Sequence, residues 1–161
     1  MNFKINFSKL VTSVVLLLSF ILIFGFLANK QYASAVTKAN KYNVEVFKTQ
    51  SCGCCYGYVL FLEEEKFKVK QTDLRSLFPI KKKYNIPLEM QSCHTTILGK
   101  YFIEGHVPIE AINKLLKEKP DIDGIALPGM PIGTPGMPGE KEKPYIIYQL
   151  VDGKSSIFMT I

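Results

Sequence analysis

Residues 44–55 read VEVFKTQSCGCC, an apolar-rich segment that leads directly into a cluster of cysteines. The alternation of apolar and polar side chains at its start is typical of a short β-strand. Apolar side chains then recur at the spacing of one helix face, at Cys55, Tyr58, Val59 and Leu62. The stretch therefore predicts a strand, a turn and a helix that runs to about Lys66, with thiols in the first helical turn.

The segments that follow predict five more elements in a definite order. They are a strand over 67–71, a helix from Leu74 to about Asn85, a hairpin of Thr95–Leu98 with Tyr101–Glu104, and a helix between Pro108 and Pro120. The complete order is strand, helix, strand, helix, strand, strand, helix. This order is that of the thioredoxin-like α/β fold, so we expect that fold over most of the chain.

Two further segments follow this predicted core. Gly124–Gly139 is dense in glycine and proline, which is typical of a loop. Tyr145–Val151 and Lys154–Ile157 flank the dipeptide Asp152-Gly153, a strong signal for a type I′ β-hairpin. The sequence thus predicts a loop rich in glycine, proline and methionine, and a C-terminal hairpin appended to the fold.

The N-terminal 35 residues have the features of a targeting segment. Lys4 and Lys9 precede an uncharged apolar run of 19 residues, Leu10–Ala28, and Ala33-Ser34-Ala35 matches an A-x-A cleavage site. The run is also close to the length of a membrane span. Residues 1–35 are therefore either a cleaved signal peptide or an N-terminal membrane anchor. Either alternative predicts an exported protein, periplasmic or otherwise extracytoplasmic.

Composition restricts the remaining domain to a few classes. The 161 residues suffice for a single domain, with 36–43 as a linker and 44–161 as the folded part. Hydrophobic residues at 47% and charged residues at 21% exclude a mostly disordered chain. The net charge is +6, but three of the 20 basic residues precede position 36. The rest of the chain contains 17 basic and 14 acidic residues. This scattered net +3 argues against nucleic acid as a partner, and membrane contact is expected only through the N-terminal segment.

The four cysteines form the most informative pattern. Cys52, Cys54 and Cys55 lie at a predicted helix start, where free backbone N–H groups and the helix dipole stabilise thiolates. In a thioredoxin-like fold, the loop that enters the third strand lies against this helix start and carries a cis-proline. Here that loop contains Cys93 and His94 and no proline.

Sulfur and imidazole ligands that converge in this way suit Cu(I), with Zn(II) as the alternative. Cys52, Cys55 and Cys93 are the ligands favoured first, followed by Cys54 and His94. Two other interpretations remain open. An exported protein with four cysteines can be a disulfide-stapled interaction module. The C-x-x-C spacing can also belong to a thiol–disulfide oxidoreductase, with Cys52 as the nucleophile and Cys55 as the resolving thiol.

Three other features predict more modest roles. Met130 and Met137 lie in a near-repeat of Pro-Gly-Met-Pro and are either soft accessory ligands or hydrophobic plugs for the loop. His106 lies between a strand end and a helix start, which favours a turn or capping role. The charge run 81–83, three successive lysines, is typical of a solvated face.

Four short motifs together resemble a bacterial family of unknown function, number 411 in that series, whose members are described as predicted metal-binding proteins. The motifs are Cys52-Gly53-Cys54-Cys55, Ser92-Cys93-His94-Thr95, Glu104-Gly105-His106-Val107-Pro108, and Pro128-Gly129-Met130-Pro131 with Gly136-Met137. The resemblance implies an exported thioredoxin-like protein that handles copper or another soft metal. The chain departs from the family at Tyr58, in place of tryptophan, and at Phe61, in place of a histidine that is one possible ligand.

Taken together, these patterns predict an exported single domain that binds a soft metal ion, with Cu(I) favoured. Its predicted role is metal resistance, buffering or transfer, and that role requires no catalysis. The expected partners are the metal ion itself and a metal-transport or metal-resistance protein.

Overall fold

The computed structural model describes residues 42–161, together with Leu17, Ser19 and Phe20. Residues 42–161 lie in one compact unit. Leu17, Ser19 and Phe20 are helical and belong to a second unit. Apart from Leu17, Ser19 and Phe20, the predicted signal peptide or anchor falls outside the described residues, as does most of the linker. Within the described part of the chain, no helix has the length and apolarity needed to cross a membrane.

The fold is a mixed α/β arrangement around a seven-stranded sheet. Its strands are β1 (Asn43–Lys48), β2 (Lys68–Asp73), β3 (His94–Leu98), β4 (Tyr101–Glu104), β5 (Gly124–Ala126), β6 (Ile146–Val151) and β7 (Lys154–Thr160). The helices in the described residues are α1 (Gly53–Glu64), α2 (Phe78–Lys83) and α3 (Ile109–Glu118), with a short 3₁₀ turn at Leu88–Met90. The strand order across the sheet is β2-β1-β3-β4-β5-β6-β7.

The seven elements from β1 to α3 occur in the predicted order. The predicted apolar stripe of α1 is confirmed, because its buried residues are Cys55, Tyr58, Val59 and Leu62. Tyr58, Val59 and Leu62 share one hydrophobic cluster with buried residues of α3 and of the sheet. Each large apolar side chain buried in this way contributes about 1.5–3 kcal/mol. The second helix begins later than predicted, at Phe78, and has a proline in its first turn.

The prediction of a loop over Gly124–Gly139 is wrong for its first three residues, which form β5. β5 pairs in parallel with β4 and antiparallel with β6, so the C-terminal hairpin continues the sheet and is not an appendage. Glycine makes this possible, since a Cβ at position 124 would lie 2.3 Å from the carbonyl oxygen of Phe102. A three-residue strand is too short to show an alternating pattern. Within a segment rich in glycine and proline, the sequence therefore gave no sign of it.

The predicted type I′ turn of the C-terminal hairpin is confirmed. Asp152 has φ 50° and Gly153 has φ 75°, the left-handed pair that this turn requires. β6 and β7 are joined through it as an antiparallel pair. The dipeptide thus fixes the register with which the last strand joins the sheet.

We expect Gly124→Ala to destabilise the protein by about 1–3 kcal/mol, because the new methyl group would collide with the backbone of β4. Gly53→Ala is the matched control, since a Cβ there meets nothing within 4 Å. Urea denaturation of both variants measures the difference. An unchanged unfolding midpoint for Gly124→Ala would contradict the tight β4–β5 contact.

Candidate metal centre

The candidate site lies where the start of α1, the loop before β3 and the turn after β4 come together. Cys52 is the N-cap residue of α1, so the first cysteines surround the helix start. β1 and β3 are antiparallel with Lys48 opposite His94, which brings the end of β1 and the start of β3 side by side. This pairing explains how Cys93 reaches a cluster that lies about 40 positions earlier in the chain.

The predicted proximity of the two cysteine groups is confirmed. Cys54 Sγ lies 3.9 Å from Cys93 Sγ and Cys52 Sγ lies 3.5 Å from Cys54 Sγ. Cys55 Sγ lies 3.5 Å from the carbonyl oxygen of Cys93. All four sulfur atoms are within 4.8 Å of one another. Four sulfurs at this separation can share one small soft-metal centre.

Two of these sulfurs are joined covalently in the structure. Cys52 and Cys55 form a disulfide, whereas Cys54 and Cys93 are free thiols. The second disulfide that a fully stapled module would contain is not formed. Because only a thiolate ligates a metal strongly, Cys52 and Cys55 become ligands only after reduction of their bond.

A second group of donors shares Cys93 with the four-sulfur group. Cys93 Sγ lies 3.4 Å from His94 Nδ1 and 3.2 Å from His106 Nε2. The ligand atoms of these three residues are within 4.8 Å of one another, and both imidazoles are fully buried. His94 and His106 are the only histidines in the sequence. Cys93 is therefore common to a sulfur group and a sulfur–nitrogen group.

The prediction of a turn or capping role for His106 is incomplete, because this residue also lies in the site. Its Nδ1 lies 2.7 Å from the carbonyl oxygen of Pro135. A carbonyl oxygen only accepts hydrogen bonds, so Nδ1 carries the proton and the lone pair of Nε2 faces Cys93. The signal was present in the predicted hairpin: Thr95 pairs with Glu104, and two further steps along that register place residue 106 opposite residue 93.

Burial sets the protonation of these groups. It lowers the pKa of His94 well below its usual range, and repulsion from Lys81, and from His106 when that ring is protonated, acts in the same direction. Burial also lowers the pKa of His106. Both rings are therefore neutral near pH 7 and keep a lone pair for a cation. Burial, with a smaller electrostatic contribution from the neighbouring Cys54, raises the pKa of Cys93 to about 12, so a metal must displace the thiol proton to bind there.

His94 also has a polar atom without a partner. Its Nε2 is buried and makes no hydrogen bond within the described part of the chain. A buried imidazole nitrogen left in this state is unfavourable by about 1–3 kcal/mol. His94 therefore keeps one ring nitrogen, Nε2, that no protein hydrogen bond occupies.

Tyr58 packs against the imidazole rings, as expected. Its ring centroid is 4.5 Å from that of His94, and its hydroxyl donates a hydrogen bond to the carbonyl oxygen of Val107 at 2.9 Å. Phe61 packs beside Tyr58, with ring centroids 5.6 Å apart. The aromatic pair therefore buries the imidazole side of the site but offers no metal ligand at position 61.

The glycine- and proline-rich loop is anchored on the site. A Cβ at Gly136 would lie 2.5 Å from the backbone nitrogen of Tyr58 and 3.0 Å from the carbonyl oxygen of Cys54. The carbonyl oxygen of the preceding Pro135 accepts a hydrogen bond from His106, so the loop contacts both α1 and the turn after β4. Met137 follows this contact and is half-buried, whereas Met130 is exposed. Ligation by either methionine stays a prediction.

The interpretation of residues 81–83 as a solvated face is wrong for Lys81. Lys81 is buried and forms an ion pair with the fully buried Glu104. Burial raises the pKa of Glu104, and the neighbouring ammonium opposes that rise. Three successive lysines carry no periodicity, so the sequence could not indicate which of them turns towards the sheet.

Comparisons with known proteins find one family model and two similar solved structures. The profile of the family described as "Protein of unknown function, DUF411" matches residues 90–137. Two solved structures are similar, "Copper resistance protein copG" in Form 1 and Form 2. The first is 36% identical with a TM-score of 0.68, covering 74% of this chain and 96% of that one. The second is 35% identical with a TM-score of 0.69, covering 74% and 98%. No match was found among curated proteins.

The loop contact with α1 gives a direct test of how the site is closed. Gly136→Ala should detach the loop, because the methyl group would meet the backbone of Gly57 and Tyr58. Gly129→Ala is a matched control: its φ of 80° is as strained as the 79° of Gly136, yet a Cβ there has open space. We expect faster tryptic cleavage after Lys141 in Gly136→Ala only. Equal cleavage of the two variants would contradict the anchoring role.

Proposed function

The chain belongs to the DUF411 family, and from this membership and the geometry of the site we propose that it binds copper as Cu(I), in copper resistance, buffering or transfer. The observation that carries the proposal is the convergence of all four cysteine sulfurs within 4.8 Å. Thiolates are the protein ligands that Cu(I) prefers. The similar copper resistance proteins support copper over other soft metals, with Zn(II) as the alternative ion.

Each donor has a distinct part in this proposal. Cys54 and Cys93 are free thiols, and Cys52 and Cys55 join them as ligands once their disulfide is reduced. His94 and His106 add neutral nitrogen donors on the other side of Cys93. The hydrogen bond from His106 to Pro135 holds that ring with Nε2 towards the thiol, the arrangement common for metal-bound histidines. Met130 and Met137 are proposed as an accessory capture site.

We also propose that β1 to α3 form a thioredoxin-like fold. The strand order β2-β1-β3-β4 supports this, with β1 parallel to β2 and antiparallel to β3. The described residues contain no cis peptide bond. In this proposal Cys93 occupies the place where thioredoxin relatives keep a cis-proline, which opens the helix start to a metal.

The location and the partners extend the same proposal. Export to the periplasm or another extracytoplasmic compartment is supported by the basic, apolar and A-x-A features of the first 35 residues. A metal-transport or metal-resistance protein is the proposed receiver of the ion. Binding and transfer need no catalytic group.

The reduced protein should bind about one Cu(I), and Cys52→Ser or Cys93→Ser should each weaken binding by roughly tenfold or more, because each removes a ligand of a shared centre. Anaerobic titration against a chromophoric Cu(I) chelator, with native mass spectrometry, measures both quantities. Ser51→Ala, an exposed neighbour, is the control. Unchanged affinity in both cysteine variants would defeat the shared site.

A thiol–disulfide oxidoreductase is the second candidate, and the Cys52–Cys55 disulfide is the observation that favours it. This candidate predicts that Cys52→Ser abolishes reduction of insulin, whereas Cys93→Ser leaves it intact or raises it by opening the site. The copper proposal predicts that the metal-loaded protein is inert and the apo protein a poor reductase. Assays with and without a chelator distinguish the two. Turnover comparable to that of thioredoxin, lost with Cys52 alone, would overturn the copper proposal.

A further inference from the structure

A buried carboxylate lies directly behind the loop that carries Cys93 and His94. Glu104 is fully buried at the end of β4, and its Oε1 accepts a hydrogen bond from the backbone N–H of Ser92 at 2.6 Å. Its Oε2 accepts a hydrogen bond from the hydroxyl of Thr95, also at 2.6 Å. Ser92 and Thr95 are the residues on either side of the Cys93-His94 pair. One side chain therefore binds the loop on both sides of two candidate ligands.

Lys81 completes this cluster from α2. Its ammonium forms the ion pair with Glu104 and lies 3.3 Å from Thr95 Oγ1. The lysine side chain is only 6% exposed, so both charges are removed from water. A buried ion pair is often no more stable than apolar residues of the same shape. Global stability alone therefore gives little reason to place these two charges beneath the loop.

We propose that Glu104, held by Lys81, is a positioning residue that fixes Cys93 for metal binding. A loop without a proline needs another restraint, and the two hydrogen bonds to Ser92 and Thr95 supply it at both ends of the pair. Rigid placement of a ligand lowers the loss of conformational entropy on binding. The metal-binding part of this inference depends on the proposed function, whereas the placement of Cys93 can be measured without metal.

Two double variants separate the effect of the hydrogen bonds to residue 104 from the effect of the buried charges. Lys81→Met/Glu104→Gln keeps an oxygen that can accept from Ser92, and Lys81→Met/Glu104→Leu removes it. Neither variant leaves a buried unpaired charge, so both are expected to fold. Leu150→Ala serves as a destabilised control, because Leu150 is buried in the separate cluster with Phe102 and Ala126.

The first measurement is the alkylation rate of Cys93 and of Cys54 by mass spectrometry, in protein that retains the Cys52–Cys55 disulfide. We expect Cys93 of the leucine variant to react about tenfold faster than in the glutamine variant, as loss of the hydrogen bonds to Ser92 and Thr95 implies. Cys54 should change little. General loosening would accelerate both thiols, as in Leu150→Ala. Equal Cys93 rates in the two double variants, or parallel acceleration of both thiols, would overturn the proposal.

The second measurement is Cu(I) affinity of the reduced variants. The leucine variant should bind about tenfold more weakly than wild type, and the glutamine variant should recover most of that loss. If wild type binds no Cu(I), the proposed function fails while the alkylation result still decides the positioning role. Thr95→Val keeps the side-chain shape, and removes one of the two hydrogen bonds. It should raise Cys93 alkylation by a smaller factor, and it replaces the leucine variant if that protein does not fold; an unchanged rate would then overturn the proposal.

Discussion

The antiparallel pairing of β3 with both β1 and β4 is the constraint on which the site depends. On one side it sets Lys48 opposite His94, so the chain leaves β1 for α1 beside the start of β3. On the other side it sets Thr95 opposite Glu104, so the turn after β4 returns to the same edge. A slip of one residue in either pairing would turn His94 to the opposite face of the sheet. Three segments distant in sequence thus contribute donors to one small volume because two registers are fixed.

Much of this arrangement could be predicted because it rests on strong local signals. The helical spacing of Cys55, Tyr58, Val59 and Leu62 reports a face that must be buried, and Asp152-Gly153 reports a turn that few other dipeptides allow. The approach of Cys93 to the first cysteines followed from the order of the elements. These features are determined by periodicity and turn chemistry, which a single sequence displays directly.

The features that were not predicted depend on tertiary packing, which produces no recognisable pattern in the local sequence. β5 is three residues long and exists because Gly124 allows the backbone of β4 to come close. Lys81 is buried because Glu104 lies opposite it, and no property of the lysine run itself indicates that partner. His106 is a mixed case. The hairpin register contains enough information to place it opposite Cys93, although that inference was not drawn, and its role depends on the hydrogen bond to Pro135.

The disulfide between Cys52 and Cys55 has a consequence for the folding of the chain. Cys52 and Cys55 are separated by three positions, whereas Cys54 and Cys93 are separated by 39. A short loop closes with little loss of chain entropy, and the longer contact must wait for the sheet to assemble. When the thiols are oxidised, the local bond is therefore expected to form early and to withhold two thiols from incorrect pairings. Cys54 and Cys93 then meet only in the folded chain, so their proximity reports that folding has been completed.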